Sequence, residues 1–495
     1  MRDRLKHLTK GVAIYGAGDA AISIVNFLLL PVYVKFSFLT AADYGALATL
    51  GSVEAFAKVL NRWGLDGAFM RFYHEREPGA ARQRMASTIL WFLLAADGVL
   101  LALALLISGR LAVSLHLDSG NLFALRVMLV NMFLVAFTFF PFHVMRLSDA
   151  SVSYSAFTFA RSAGTLVLRI ALVIGLRLGI TGVYLADLIL TAVLVPLLWK
   201  WMRPLVTTMF SGAELRQMLR FGLPRLPHGL AQQSLESTPK LLLGHNVTGD
   251  ALGVYQNGST LGTAIRFFTS AFETAWAPFY YATSRQPDAK QVFGKMATYG
   301  VAVLVLLVAG TTAVARDVIL VMLRPEYLKA LPVVPTIAIA IAFQGVYLLT
   351  SIGLNLTSRT EFYPVSTLTA AGVGFAAGLA LIPRYGVVGA AVTVLVSYLT
   401  QLVVAFAFSQ RMYPVRYETG RIVRLVVAGA AAALVALKLV PDMPPLAGLF
   451  VRGATSVAVY LLLLWVTGFF RATEIAFLRE IAARRSRRPT TNGAS

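Results

Sequence analysis

Apolar residues run in stretches of about 20 from one end of the chain to the other, separated by short polar or basic connections. A helix of that length rises ~30 Å, the thickness of a bilayer's hydrocarbon core. The alternating pattern of an outer-membrane barrel strand appears nowhere, and backbone polar groups in lipid must be satisfied within the segment. The pattern therefore predicts an all-α integral membrane fold with about 14 transmembrane helices. Their spans lie near 11–34, 43–70, 86–108, 121–145, 153–177, 180–200, 217–244, 250–281, 293–322, 331–356, 361–382, 387–410, 421–440 and 445–470.

Composition agrees with that reading. Of 495 residues, 57% are hydrophobic and only 14% charged, with a mean hydropathy of +0.71. Soluble chains carry about 25% charge, and so little charge could not coat three soluble domains. The net charge of +21 does not point to nucleic acid, because the basic residues sit between apolar runs and in the tail from Arg471 to Arg488. Roughly 27 Lys and Arg fall in connections on one side against roughly 10 on the other, so the positive-inside rule makes both termini cytoplasmic. Cysteine is absent, which removes disulfides and thiolate metal sites. The opening MRDRLKHLTK is similar to a signal-peptide n-region, yet no A-x-A-like site follows, which predicts a retained first helix.

An internal repeat is visible. The fifth and sixth helices are joined by R-L-G-I-T-G-V, Arg177 to Val183, and the eleventh and twelfth by R-Y-G-V-V-G-A, Arg384 to Ala390, 207 residues later. The first hairpin, Leu28 to Leu47, and the seventh–eighth hairpin, Leu241 to Tyr255, match at a similar offset. Two pseudo-symmetric six-helix lobes in the same orientation follow, an arrangement many transporters share. The expected units are an N-terminal lobe over 1–212, a C-terminal lobe over 213–412, two extra transmembrane helices over 413–470 and a basic cytoplasmic tail over 471–495.

Several of these segments resemble a known family. L-R-F-G-L-P-R-L-P, Leu219 to Pro227, is similar to the opening of the second lobe in polysaccharide-export flippases, and L-G-V-Y, Leu252 to Tyr255, to the start of their eighth helix. R-P-E-Y-L-K-A-L-P-V-V-P, Arg324 to Pro335, resembles their loop before the tenth helix, and F-L-L-L-P-V-Y…A-D-Y-G-A-L, Phe27 to Leu47, their first hairpin. These proteins belong to the multidrug/oligosaccharidyl-lipid/polysaccharide exporter superfamily. The resemblance implies a central cavity between the lobes, alternating access, a polyprenyl-diphosphate-linked glycan as cargo, and residence in the inner membrane beside a polysaccharide polymerase. One departure stands out. Where the family often places an acidic–basic pair late in the seventh helix, this chain has Pro239-Lys240.

Ionisable side chains at mid-bilayer cost at least ~2.5–3.5 kcal/mol, so each one inside a span calls for an account. In the second helix Glu54, Lys58, Arg62 and Asp66 recur every four residues; they form one stripe that either pairs internally or walls a hydrophilic cavity. The seventh helix carries Arg225, Glu236 and Lys240 among Pro224, Pro227 and Pro239. Glu236 and Lys240 are one turn apart and can pair with each other, and Arg266 and Glu273 share a face of the eighth helix. A diphosphate needs cations and donors, and Arg matches phosphate oxygens through its planar fork. Lys58, Arg62, Lys240 and Arg266 are therefore the expected diphosphate-facing set, with Glu54, Glu236 and Glu273 as cavity carboxylates. Asp19, with no cation one turn away, is the candidate for H+ or Na+ coupling. Asp97 and Asp187 are weaker candidates of that kind, and Arg161 and Arg169 either extend the basic lining or pair with them.

Other chemistry finds no support in the pattern. The G-x-G-x-x-A match at Gly16 to Ala21 has no strand before it and reads as close helix packing. There is no G-x-x-x-x-G-K-[ST] segment for ATP, no H-E-x-x-H spacing among the six histidines and no Ser-His-Asp constellation. A non-enzyme without cofactor or resident metal is expected. Two alternatives stay open: an ion-coupled drug or metabolite exporter of the same superfamily, and a membrane glycosyltransferase or O-antigen ligase. The ligase usually needs a large outer loop, and no outer connection here exceeds about 15 residues, as compact helical bundles prefer.

Overall fold

A computed structural model describes residues 30–35, 38–148, 150–357 and 359–471, and no strand occurs among them. The helices that position the site are α1 (Ala41–Leu60), α2 (Leu65–Glu75), α3 (Ala80–Leu106), α4 (Leu122–Ala136), α5 (Phe139–Leu147), α6 (Ser151–Arg169), α7 (Gly179–Met202) and α8 (Gly212–Gly222). They continue with α9 (Leu226–Asn246), α10 (Gly249–Gly262), α11 (Arg266–Thr283), α12 (Ala289–Met322), α13 (Val333–Thr350), α14 (Phe362–Met412), α15 (Thr419–Leu439) and α16 (Pro445–Val466).

Nine helical segments among the described residues are long and apolar enough to cross a membrane: α3, α4 with α5, α6, α7, α12, α13, α14, α15 and α16. Their outward faces are apolar: Leu106 is 82% exposed, and Leu439 and Phe450 each 73%. Within the spans, ion pairs such as Arg169–Asp187 and Arg452–Asp317 are instead held between helices. That inversion suits lipid as the surrounding solvent, and the chain is a multi-pass membrane protein. Counting by apolarity gives nine segments where the hydrophobic pattern predicts about fourteen, and the difference has a physical source. The helices at 41–75, 212–246 and 249–283 each carry several charged side chains, and α14 is long enough for two crossings. The expected first span, and Asp19 with it, lies mostly outside the described residues.

Local chemistry sets the breaks. α1 starts with a capping box: Thr40 Oγ1 accepts from the Asp43 amide at 3.2 Å, and Asp43 Oδ2 accepts from the Thr40 amide at 2.8 Å, satisfying two orphan donors reciprocally. α1 and α2 are separated by left-handed Trp63 and Gly64, at φ 51° and 68°. A Cβ on Gly64 would collide with the Gly222 carbonyl, so this break is also where the first half of the chain touches the second.

The two sequence-matched junctions have matching backbones. α6 ends in a π-helical turn, Ile170–Gly175, before left-handed Arg177 and Gly179. α14 breaks at left-handed Gly386, 207 positions after Gly179. Three residues beyond each, Gly182 and Gly389 lie directly against backbone of the preceding helix, at Leu172 and Leu381. A side chain at Gly182 or Gly389 would push the hairpin apart, whereas at Gly179 and Gly386 the constraint is the positive φ.

Packing runs through α1, which lies against both α9 and α10, while α9 packs along α14 and α13 packs on α14. α4, α6 and α7 form a second group, and α8 sits on α2 and α3. α15 and α16 dock on α12. The Tyr460 hydroxyl donates to the Ala302 carbonyl at 2.9 Å, and Arg452 holds both Asp317 oxygens at 2.8 Å.

Candidate functional site

The stripe on α1 and α2 faces inward and lines open space. Glu54 and Lys58 pair at 2.6 Å, Arg62 and Asp66 at 3.5 Å. Four-residue spacing brings each acid within reach of its base on one helical face. Both pairs line a cavity of 680 Å³ between α1, α2 and the start of α9, where Arg225, His228 and Gln233 form the opposite wall. Glu54, Lys58 and Arg62 also line a second chamber of 600 Å³, enclosed by α4, α5, α6 and α7. Gly51, Ala55 and Gln233 join the first chamber to a third of 180 Å³, which holds Glu236, Lys240 and Gln256. One polar space thus runs past α1 on both sides.

The ion pairs across this space differ from those expected along single helices. Glu236 does not pair with Lys240. Its carboxylate is taken by Arg266 and by the Tyr398 hydroxyl, and Arg266 also donates to Tyr398 at 3.0 Å and Gln344 at 3.4 Å. The pairing that spacing alone allowed is replaced because α11 and α14 bring two partners, Arg266 and Tyr398, to the same carboxylate, while Gln344 on α13 holds Arg266 in place. Arg169 donates to both Asp187 oxygens, at 3.0 and 2.8 Å, so this pair is structural in geometry while lining the second chamber. Asp97 is 1% exposed and accepts from the Trp63 indole at 3.0 Å, away from the cavity. Glu273 is exposed and has no ion pair among the described residues.

Among the described residues, every carboxylate lining the space has a basic partner: Glu54, Asp66, Asp187 and Glu236. Four lining cations have no carboxylate partner among the described residues: Arg146, Arg161, Arg225 and Lys240. Arg146 donates to the Tyr154 hydroxyl at 2.5 Å, and Arg225 lies over the Phe221 ring at 5.3 Å. Of the four cations expected to face a diphosphate, Lys58 and Arg62 line the cavity but are paired, Arg266 is held by Glu236, and Lys240 has no ion-pair partner among the described residues. His143 Nδ1, His228 Nδ1 and Asn131 Oδ1, which belong to residues lining these chambers, are buried with no hydrogen-bond partner among the described residues.

Sequence reasoning offered Arg161 and Arg169 as lining or paired residues, but missed Arg146 and the uncharged polar residues that share their face of α6. That face was visible in principle: Tyr154, Thr158, Arg161, Ser162, Thr165 and Arg169 recur at helical spacing inside an apolar span, and all of them line the second chamber. The stripe is polar where a lipid-facing helix would be apolar.

With the geometry in place, the chain can be compared with known proteins. No curated protein sequence is significantly similar to it. Among solved structures it is similar to the lipid II flippase MurJ in an inward closed conformation, with a TM-score of 0.70, 11% identity, and 92% of this chain and 98% of that one covered. It is also similar to an inward-facing multidrug resistance MATE transporter of the MOP superfamily, with a TM-score of 0.61, 15% identity, and 81% and 95% coverage. A MATE protein in complex with MaD3S gives a TM-score of 0.56, 16% identity, and 85% and 96% coverage. At these identities the likeness is one of fold: an all-α transporter architecture. The family profile described as "Polysaccharide biosynthesis protein" matches residues 37–332, which span the charged stripe, the cavity and both of its walls, and the chain belongs to that family.

Proposed function

We propose that this chain is a flippase that translocates polyprenyl-diphosphate-linked oligosaccharide units across the inner membrane by alternating access, for O-antigen, capsule or exopolysaccharide biosynthesis. The observation that carries the reading is the joined polar space in which, among the described residues, Arg146, Arg161, Arg225 and Lys240 are unmatched by carboxylates. Unpaired cations in low-dielectric surroundings are costly unless an anion completes them, and a diphosphate is such an anion. The cargo named for the structurally similar MurJ protein, lipid II, is a lipid-linked molecule of this general kind. An exporter of cationic drugs, suggested by the multidrug MATE likeness, would be better served by surplus carboxylate than by surplus Arg and Lys.

The reading carries with it two lobes, 1–212 and 213–412, supported by the matched left-handed glycines and the tight hairpins that follow them. The helices over 413–470 are an addition docked on α12, and the tail over 471–495 is cytoplasmic. With both termini inside, a reporter fused at Asn246 reads as periplasmic and one at Pro287 as cytoplasmic. The opposite pair of signals would overturn the orientation.

Transport draws on an H+ or Na+ gradient or on membrane potential, with Asp19 as the coupling candidate, and the polysaccharide polymerase takes the delivered units. The test is transport of a lipid-linked oligosaccharide into the opposite leaflet of proteoliposomes holding the purified chain. Movement with an imposed gradient and no nucleotide is the expected outcome; movement only with added ATP would reject it.

A further inference from the structure

A second kind of cavity lies beside the polar one. Between α3, α4, α5 and α7 a groove of 370 Å³ is walled by Trp91, Leu94, Phe133, Phe137, Val195 and Trp199, within the roughly 300–1,000 Å³ range of small-ligand sites. It opens to the outside of the molecule: Trp91 is 39%, Leu94 44% and Trp199 44% exposed. Only one residue, Thr138, lines both this groove and the 600 Å³ polar chamber.

The wall between the two spaces is a helix break. α4 stops at Ala136 and α5 starts at Phe139. Across the junction the Phe137 and Thr138 amides donate to Leu134 and Val135 at 3.1 and 3.0 Å, and the Thr138 hydroxyl donates to Val135 at 2.8 Å. Val135 and Phe142 face the polar chamber, while Leu134, Phe137 and Pro141 face the groove. A single tightened turn therefore separates an apolar slot open to lipid from a cationic chamber. Such breaks are where helices bend.

The groove also has a defined depth. Trp91 is fixed by its indole donating to the Thr207 carbonyl at 3.0 Å, and tryptophan concentrates at the membrane–water boundary. Trp199 lies next to Lys200 and Arg203 at the end of α7, the end that the charge bias makes cytoplasmic. The slot accordingly lies in the cytoplasmic leaflet under the proposed topology.

We propose that this groove seats the polyprenyl chain of the cargo while its diphosphate and sugars pass Thr138 into the cationic chamber. The proposal rests on the flippase reading and adds the place where the hydrocarbon part is held and the side on which the head group enters. An amphiphile needs both surfaces in contact, and this is where the groove and the cation-bearing chamber share a wall.

Because lipid tails are as apolar as the chain itself, the groove's advantage comes from packing alone and is modest. The full-length protein in phospholipid nanodiscs is expected to bind undecaprenyl diphosphate about tenfold more tightly than farnesyl diphosphate, roughly a 1.4 kcal/mol difference. Leu94→Trp and Val195→Trp, which fill the groove from two different helices, are each expected to cut that preference to about threefold or less while leaving the binding of inorganic diphosphate, which has no chain to seat, unchanged. Equal affinity for the two lipids in the parental protein would mean that bulk acyl chains fill the groove, and would overturn the proposal. So would a preference that survives both substitutions, and in either case the cavity reading would stand. If the parental protein binds neither diphosphate, the flippase reading itself fails.

Discussion

A strain that depends on this protein is expected to lose surface polysaccharide when Arg161 and Lys240 are both replaced by Gln, with the variant still expressed and inserted. These two cations line opposite parts of the joined polar space, the second chamber and the third, and neither has a carboxylate partner among the described residues. Losing a charge-assisted hydrogen bond costs about 1.5–3 kcal/mol, or roughly 10- to 150-fold in affinity for each residue. Two such losses at separate positions add, which takes export below detection. Lys240→Arg keeps the charge and retains part of the activity.

Lys58→Gln behaves differently, because Lys58 is already matched by Glu54 at 2.6 Å; its removal also releases a carboxylate into the cavity. Arg266→Gln acts mainly through stability, since it strips Glu236 of its cation. The measurement is secreted or surface glycan against membrane-protein level. Export at the parental level in the Arg161→Gln Lys240→Gln double variant would end the cationic-cavity mechanism.

Arg452→Ala is expected to destabilise the protein by about 3–5 kcal/mol, the range for removing one partner of a buried ion pair. Asp317 is 2% and Arg452 5% exposed, and Arg452 also donates to Asp442 at 3.1 Å and to the Pro441 carbonyl at 3.3 Å. Arg316 completes the cluster by donating to Asp442 at 2.5 Å. The substitution strands the Asp317 carboxylate against Gly448, where α16 approaches α12 too closely to admit a side chain. Replacing both members, as in Asp317→Leu Arg452→Leu, removes the stranded charge and costs less. Thermal unfolding in detergent distinguishes these cases. A single variant as stable as the parent would show that the cluster does not hold the last two helices on the body.

The sequence carried the helices and their ends because those depend on neighbours along the chain. Apolar run length located the spans, a Thr–Asp box started α1, and glycine at two equivalent positions broke the backbone where the repeat predicted junctions. The four-residue stripe from Glu54 to Asp66 was legible for the same reason: one helical turn brings its pairs together whatever surrounds them. The three charged stretches were predicted as spans by position and length; they are helical, but fall below the apolarity of the nine segments long and apolar enough to cross a membrane among the described residues.

What local spacing could not decide was which charges meet across helices. Glu236 sits one turn from Lys240, yet it pairs with Arg266, 30 residues away, and with Tyr398, 162 residues away. That choice depends on the packing of α9 against α11 and α14, and it is what leaves Lys240 unmatched among the described residues. Arg161 and Arg169 are two turns apart on one helix, but only Arg169 meets Asp187, because only its level on α6 faces that carboxylate on α7. The same packing turned the polar face of α6 toward α1 and set the apolar groove behind Thr138. Periodicity along a chain determines which residues share a face; the tertiary structure determines what that face meets, and for buried charges the partner decides whether a residue is structural or free to bind.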